Sequence, residues 1–452
     1  MSTLVLASLV LFAVATLLVL VLYVRLHAFV ALLLTSLAVA LLGGIPLGDI
    51  AGVIEEGMGS TLGYIATVIG LGAMVGEMLR QSGGAEEIAD TLLRTFGDDR
   101  APWALSLTGL LVAIPVFFDV ALILFIPLVY TLAERTGKSL LLYAIPLLAG
   151  IAVAHSFVPP TPGPVAVAGL LNADLGWVIL FGVLAGLPSI LLGGVFYGRY
   201  VAGRVHVEVP EAVRDEETGA EVDIVPPTFG QAIAVIGVPL VLILLGTLSD
   251  VALAEGTSAR RVLSFVGHPF TALVLAVLLA FYALGVRGGV PMEGVQQIAT
   301  SALEPVGLII LVTGAGGVLG EVLVEVGVGD ALANAMAASN LPIVLLAFLI
   351  AVVVRVSQGS ATVSMVTAAG LVKPVIESGS YAPPVVGLVT IAIAAGATVL
   401  SHVNDSGFWL VSRFLGMDEE QTLRSWTVME TIVGTVGFLV VLALSADRKS
   451  VV

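Results

Sequence analysis

Gly72-Ala73-Met74-Val75-Gly76-Glu77 recurs 244 residues further on as Gly316-Gly317-Val318-Leu319-Gly320-Glu321. The same spacing relates Leu79 to Leu323, Gly83 to Gly327, Ala89 to Ala333 and Gly163 to Gly407. Several matches at one long offset mark an internal repeat. Around both copies the chain is apolar: 58% of its 452 residues are hydrophobic and 11% charged, where a soluble domain carries about 25%. So few charges cannot clothe a water-facing surface of this size. The chain reads as an all-α polytopic membrane protein. Its 51 glycines and 21 prolines fit close helix contacts and interrupted helices.

A ~30 Å hydrocarbon core takes about 20 apolar residues of helix. Ten stretches qualify: 4–22, 28–47, 64–80, 139–170 and 176–198, then 229–249, 270–286, 305–325, 383–413 and 426–446. The run Leu4 to Leu22 reads as a retained span, since no charged region precedes it and no small-x-small cleavage site follows. Two further segments, 103–134 and 341–372, are too long for one helix and are interrupted at Ile114-Pro115-Val116-Phe117-Phe118-Asp119 and at Gln358-Gly359-Ser360. Each reads as a re-entrant hairpin. The 244-residue offset maps one hairpin onto the other, so each half holds five spans and one hairpin. Five is odd, so the second repeat is expected to be inverted relative to the first, with discontinuous helices, as in transporters.

The positive-inside rule supports the hairpins. With the amino terminus outside, Arg25, Arg80, Arg94, Arg100, Arg135, Lys138, Arg199 and Arg204 fall inside, and the 48–63 loop, with Asp49, Glu55 and Glu56, falls outside. Arg260, Arg261, Arg448 and Lys449 fit less well. The expected organisation is a first repeat over 1–198, an acidic polar linker over 199–228 and a second repeat over 229–452. Spans 4–47 and 229–286 would form a scaffold and dimer contact, and 64–198 and 305–446 the transport elements.

Polar groups at membrane depth carry the function, because each is costly there. In Ala154-His155-Ser156-Phe157-Val158-Pro159-Pro160-Thr161-Pro162-Gly163-Pro164, four prolines stop a helix and free its backbone groups. Ser401-His402-Val403-Asn404-Asp405-Ser406-Gly407-Phe408-Trp409 lies at the repeat-equivalent place. Asp119 is a lone carboxylate between Phe117-Phe118 and an apolar run, suited to carry a proton or to cap the next half-helix. Beside Gly359, a helix starting near Ser360 with Ala361 and Thr362 would aim its positive end at a bound anion. Arg355 could meet that anion, or pair with Asp405 or Asp119 as a structural ion pair. Glu77 and Glu321 read as capping or water-facing, and His27 and His268 as interfacial.

The remaining features exclude other classes. A net charge of −15 argues against nucleic acid, and the absence of cysteine removes disulfides, thiolate metal sites and thiol catalysis. HExxH, GxSxG and Walker-type motifs are absent, so no enzyme, cofactor or metal centre is expected. Transport would be driven by an ion gradient or be facilitated. A membrane-embedded enzyme using His155, His402 and Asp405 gains nothing from an inverted repeat, and a passive channel does not call for paired hairpins.

The stretch His155–Pro164 resembles the H-x-[FL]-[LV]-P-P-H-P-G-P motif of the gluconate permease family of bacterial sugar-acid symporters. Gly70–Leu79, Gly359–Val363, Ser401–Leu410 and Thr422–Thr431 are similar to the same family, so the likeness covers nearly the whole chain. It implies proton-coupled uptake of a gluconate-like organic anion across a prokaryotic inner membrane by a homodimer whose substrate domain moves, elevator fashion. Sodium is the alternative coupling ion. By the same likeness, His155, Ser156, Thr161, Gly163, Gly359, Ser360, Thr362, His402, Asn404, Asp405 and Ser406 form the substrate site. Asp119, Asp405, His155 and His402 are the candidates for the proton. Two positions depart from the family pattern: Thr161 stands where gluconate members commonly have His, and Asp119 where they often have Glu.

Overall fold

The computed structural model describes residues 3–210, 226–304, 306–328, 341–403 and 405–446. Ala333, Asn404, the acidic stretch 211–225 of the linker, and Arg448 and Lys449 lie outside the described residues. Among the described residues all regular structure is helical. The first half contains α1 (Thr3–Leu18), α2 (Ala28–Leu42), α3 (Ile50–Gln81), α4 (Gly84–Phe96), α5 (Ala101–Val112), α6 (Phe118–Thr136), α7 (Leu141–Phe157), α8 (Pro162–Leu170), α9 (Leu175–Ser189) and α10 (Tyr197–Ala202). The second contains α11 (Phe229–Ala252), α12 (Ser258–Gly267), α13 (Pro269–Ala280), α14 (Met292–Ser301), α15 (Val306–Glu325), α16 (Ile343–Gln358), α17 (Ala361–Ser378), α18 (Pro383–Thr398), α19 (Ser406–Leu415), α20 (Glu419–Thr422) and α21 (Val428–Ala446). Wide π turns continue α9 over Ile190–Phe196 and join α20 to α21 over Leu423–Thr427.

Among the described residues, seven helical runs are long and apolar enough to cross a bilayer, beginning at Ile50, Leu141, Leu175, Phe229, Pro269, Val306 and Glu419. The expected spans at 4–22, 28–47 and 383–413 hold shorter helices. In the last, α18 stops at Thr398 and the chain resumes as α19 only at Ser406. One boundary needs correction. The expected loop 48–63 is helical from Ile50, so α3 runs for 32 residues, about 48 Å at 1.5 Å per residue. Its acidic residues Asp49, Glu55 and Glu56 suggested a loop, but the segment packs as helix, and Gly57 is a contact point: a Cβ there would stand 2.8 Å from the Val318 Cα on α15. Close helix packing overrides the low helix propensity of glycine.

Both halves follow one order of elements. At the 244-residue offset, α5, α6, α7 and α8 correspond to α16, α17, α18 and α19, and α9 to the run from α20 through α21. The helix starts match closely: Asp174 caps α9 by accepting from the Trp177 N–H, and Asp418 caps α20 by accepting from the Gln421 N–H. His27 and His268 likewise cap α2 and α13 through Nδ1, accepting from the N–H groups of Phe29 and Phe270. Packing follows the same rule. α5 packs on α7 and α16 on α18; α8 packs on α17 and α19 on α6; α9 packs on α21.

The glycines let these helices approach. A Cβ on Gly150 of α7 would lie 2.2 Å from the Ser106 carbonyl oxygen, and one on Gly109 of α5 would lie 2.4 Å from that of Leu147. Gly76, in the motif that repeats, sits against the Pro115 carbonyl in the break between α5 and α6. A main cluster of buried apolar residues runs from α3 to α21, while α1 and α2 pack with α15 in a smaller one. Gly150→Ala should lower stability by about 1–3 kcal/mol, since backbone cannot yield as a side chain does. Gly230, with nothing within 4 Å of its Cβ position, is the control. A thermal melt in detergent that moves equally for Gly150→Ala and Gly230→Ala overturns this.

Candidate functional site

The α5–α6 and α16–α17 interruptions and the start of α19 meet around one cavity of about 400 Å³, which His155 and Ser156, just ahead of the α7–α8 break, also line. The α7–α8 break spans Val158–Thr161, and its Pro159–Pro160 peptide is cis. The Thr161 hydroxyl closes this break by donating to the Val158 carbonyl at 2.7 Å and the Ala154 carbonyl at 3.2 Å. Between α16 and α17, Gly359 has φ +88°, a region open to glycine but costly for residues with a Cβ. Ser360 caps α17 by accepting from the Val363 N–H at 3.4 Å.

Asp405 organises the fourth break. Its Oδ1 accepts from the Gly407 N–H at 3.0 Å, capping α19. Its Oδ2 accepts from the Ser401 hydroxyl and, at 2.6 Å, from Nη2 of Arg355. The Arg355 side chain is only 2% exposed and that of Asp405 9%, so this is a buried ion pair. Trp426 extends the network: its Nε1 donates to the Ser401 hydroxyl at 2.7 Å. The Nε and Nη1 of Arg355 are buried with no hydrogen-bond partner among the described residues, as is Nδ1 of His155. Native proteins rarely leave a buried guanidinium with unused donors, and such a group needs a reason.

Of the expected site residues, His155, Ser156, Ser360, Thr362, Asp405 and Ser406 line the cavity, together with Asp119 and Arg355. Thr161, Gly163, Gly359 and His402 stand outside its wall. Gly163 faces Met365, where a Cβ would meet the sulfur at 2.7 Å. The Nδ1 of His402 lies 2.8 Å from the Leu400 carbonyl. Asp119 does not cap α6, whose capping residue is Phe117; it lies exposed in the first turn. Glu77 and Glu321 both form ion pairs, with Arg80 and with Lys373.

Among the lining residues that the sequence did not single out, two carry polar groups. Trp426 forms an aromatic wall with Phe118, ring centroids 5.4 Å apart. Glu430, one turn later, is a carboxyl only 4% exposed in an otherwise apolar span. The rule that intramembrane ionisable residues are functional candidates would have found it.

The amino-terminal turns of α6, α17 and α19 all reach the cavity, through Asp119, Thr362 and Ser406 among others. Their free N–H groups and dipoles favour negative charge, as does Arg355. The wall also carries hydroxyls.

The family model for GntP family permeases matches residues 4–446. This chain belongs to the GntP permease family. It is 44% identical to a low-affinity gluconate transporter of Escherichia coli (strain K12) over 97% of its length and 98% of the relative. It is 39% identical to a gluconate permease of Pseudomonas aeruginosa over 95% of both chains, and 35% identical to the Gnt-II system L-idonate transporter of Escherichia coli (strain K12) over 96% and 97%. These relatives are transporters and permeases rather than enzymes. Among solved structures, the YdaH transporter of Alcanivorax borkumensis superposes with a TM-score of 0.62 at 14% identity, covering 93% of this chain and 98% of that one. MtrF of Neisseria gonorrhoeae superposes with a TM-score of 0.63 at 13% identity, covering 92% and 93%. The GntP permease shares the fold of these transporters.

Removing one partner of the buried pair strands a charge. Arg355→Gln and Asp405→Asn should each cost about 3–5 kcal/mol of stability, and the double variant clearly less than their sum. A double-mutant cycle on unfolding in detergent measures this; additive losses would show that the pair is not coupled.

Proposed function

We propose that this GntP permease is a secondary active transporter that imports gluconate or a related sugar acid together with protons. The observation that carries the reading is Arg355, a buried cation on the cavity wall with two nitrogens unpaired, among three helix amino termini. That set of donors suits a carboxylate. Ser156, Ser360, Thr362 and Ser406 suit the hydroxyls of a sugar acid, and Phe118 and Trp426 its carbon chain. A volume of about 400 Å³ falls in the range of small-molecule sites. The gluconate and L-idonate transporters among its relatives support the same substrate class.

Proton coupling follows from charge. The cavity wall carries the carboxyls of Asp119, Asp405 and Glu430 against the single guanidinium of Arg355. With all three ionised, a monoanion enters against net negative charge, and protonation relieves this.

The two repeats are read as inverted copies, and α5–α6 and α16–α17 as re-entrant hairpins. Swapped packing of α8 on α17 and α19 on α6 is the pattern of a two-fold relation. α5 has 12 residues, about 18 Å of helix, too few to span a bilayer. In this scheme the hairpins and breaks move together, elevator fashion, against a scaffold of α1, α2, α11 and α13. The scaffold also supplies the homodimer contact. Its helices expose large apolar residues such as Leu245, Leu248 and Leu278, whereas α18 is buried from Val386 to Thr398. A multi-pass protein of this kind would reside in the inner membrane of a prokaryote.

Labelled gluconate should accumulate in proteoliposomes under an inward proton gradient. Arg355→Ala, assayed on folded protein, should lose about 2–5 kcal/mol of binding, a roughly 30-fold or larger rise in KM. Failure of any sugar acid to enter under a pH gradient sinks the reading. Accumulation that survives a collapsed pH gradient but stops when sodium is replaced by choline assigns the coupling to sodium.

A further inference from the structure

Glu430 and Trp426 lie one turn apart, and both line the cavity. Glu430 is the only ionisable residue of α21. It is 4% exposed, and no hydrogen bond or ion pair within 4 Å holds it among the described residues. The fold does not require a carboxyl here. The corresponding residue of the first repeat is Gly186, where even a Cβ would meet Val153 at 2.5 Å.

The surroundings of Glu430 are sparsely charged. Arg355 from α16 and Asp405 from the cap of α19 act on it electrostatically. His155 from α7 and Asp119 from α6 share the same cavity. The other helices packed on α21, namely α9 with its π continuation and α18, carry no ionisable residue over 175–196 and 383–398. Arg424, in the π turn, is exposed and paired with Glu420.

Of the other candidates, Asp405, Asp119 and His402 are less suited. Both oxygens of Asp405 are engaged, by Arg355, Ser401 and the Gly407 N–H, which leaves no free oxygen facing the cavity for a substrate-linked proton. Asp119 is exposed, so its charge is better screened and its protonation changes the cavity less. His402 is outside the cavity wall. Glu430 is enclosed, unpaired and within the field of the cation that the substrate needs. When ionised it competes with an incoming carboxylate for Arg355. When protonated it gives up that competition and becomes a hydrogen-bond donor to a substrate oxygen.

We propose that Glu430 is the carboxyl that takes up the coupling proton when the organic anion binds, and so controls the anion's access to Arg355. The proton joins an Oε atom from the aqueous side to which the cavity is open, and leaves from the same atom on the other side. One positive and one negative charge enter together, so the cavity's net charge is unchanged by loading. The inference rests on the transport reading above and assigns its coupling residue.

The test measures proton uptake on gluconate binding by purified protein in weakly buffered detergent, with a pH-indicator dye and with affinity followed by calorimetry. The wild type should take up about one proton per gluconate bound near the midpoint of its affinity-against-pH curve. Glu430→Gln should take up almost none, and its affinity should no longer rise on acidification. Glu430→Asp should restore uptake with a displaced pH midpoint, a change that a structural role would not produce. Wild-type proton uptake in Glu430→Gln overturns the proposal, as does binding by the wild type without proton uptake. If Glu430→Gln does not bind, a Glu430→Asp curve superimposable on the wild type overturns it. Wild-type protein that binds no sugar acid overturns the transport reading instead.

Discussion

The buried contact between Arg355 and Asp405 is the constraint on which the rest of the cavity depends. A guanidinium 2% exposed at membrane depth is tolerable only with a counter-charge in place. Asp405 supplies it from the start of α19, and so ties that helix to the end of α16. Because Asp405 also caps α19 and accepts from Ser401, which in turn accepts from Trp426, one carboxylate sets four elements in register. The pair uses only part of the fork. What remains of the guanidinium is what the proposed anion site would use.

The repeat explains how such a site can exist inside an apolar bundle. Each half ends helices in mid-bundle, and two ended helices from each half face one another. The amino-terminal turns so exposed are fixed partial charges that need no ionisable residue. Glycines at the crossings bring the helices close enough to support the broken segments: Gly76 meets the Pro115 carbonyl, and Gly72 packs against Pro160. The symmetry is one of backbone. The ionisable residues Arg355, Asp405 and Glu430 of the cavity depart from it, since they correspond to Leu111, Thr161 and Gly186.

Much of this was legible in one dimension. Prolines mark the break at 158–161, Pro115 and Gly359 mark the two interruptions, and the break ahead of α19 was readable from the polar residues Ser401, His402 and Asp405 inside an apolar run. The loop expected at 48–63 was misread because acidic residues between two apolar runs look like a loop, and only the close packing of Gly57 on the partner helix α15 shows the segment to be helix. Thr161, Gly163, Gly359 and His402 belong to the right segments yet stand outside the cavity wall, because neighbouring residues of a tight turn point in different directions. Glu430 was passed over since its span looks like any other apolar helix.

By itself, the amino-acid sequence determined the class of protein, the internal repeat and the positions of the broken helices. These follow from local chemistry: hydropathy, missing proline N–H groups and the free rotation of glycine. Only the tertiary structure decided which side chains face the cavity and which partner each charge takes. Arg355 and Asp405 are 50 residues apart, and Trp426 is 25 beyond Ser401. Side-chain direction and long-range pairing are properties of packed surfaces, set by contacts that no single segment contains.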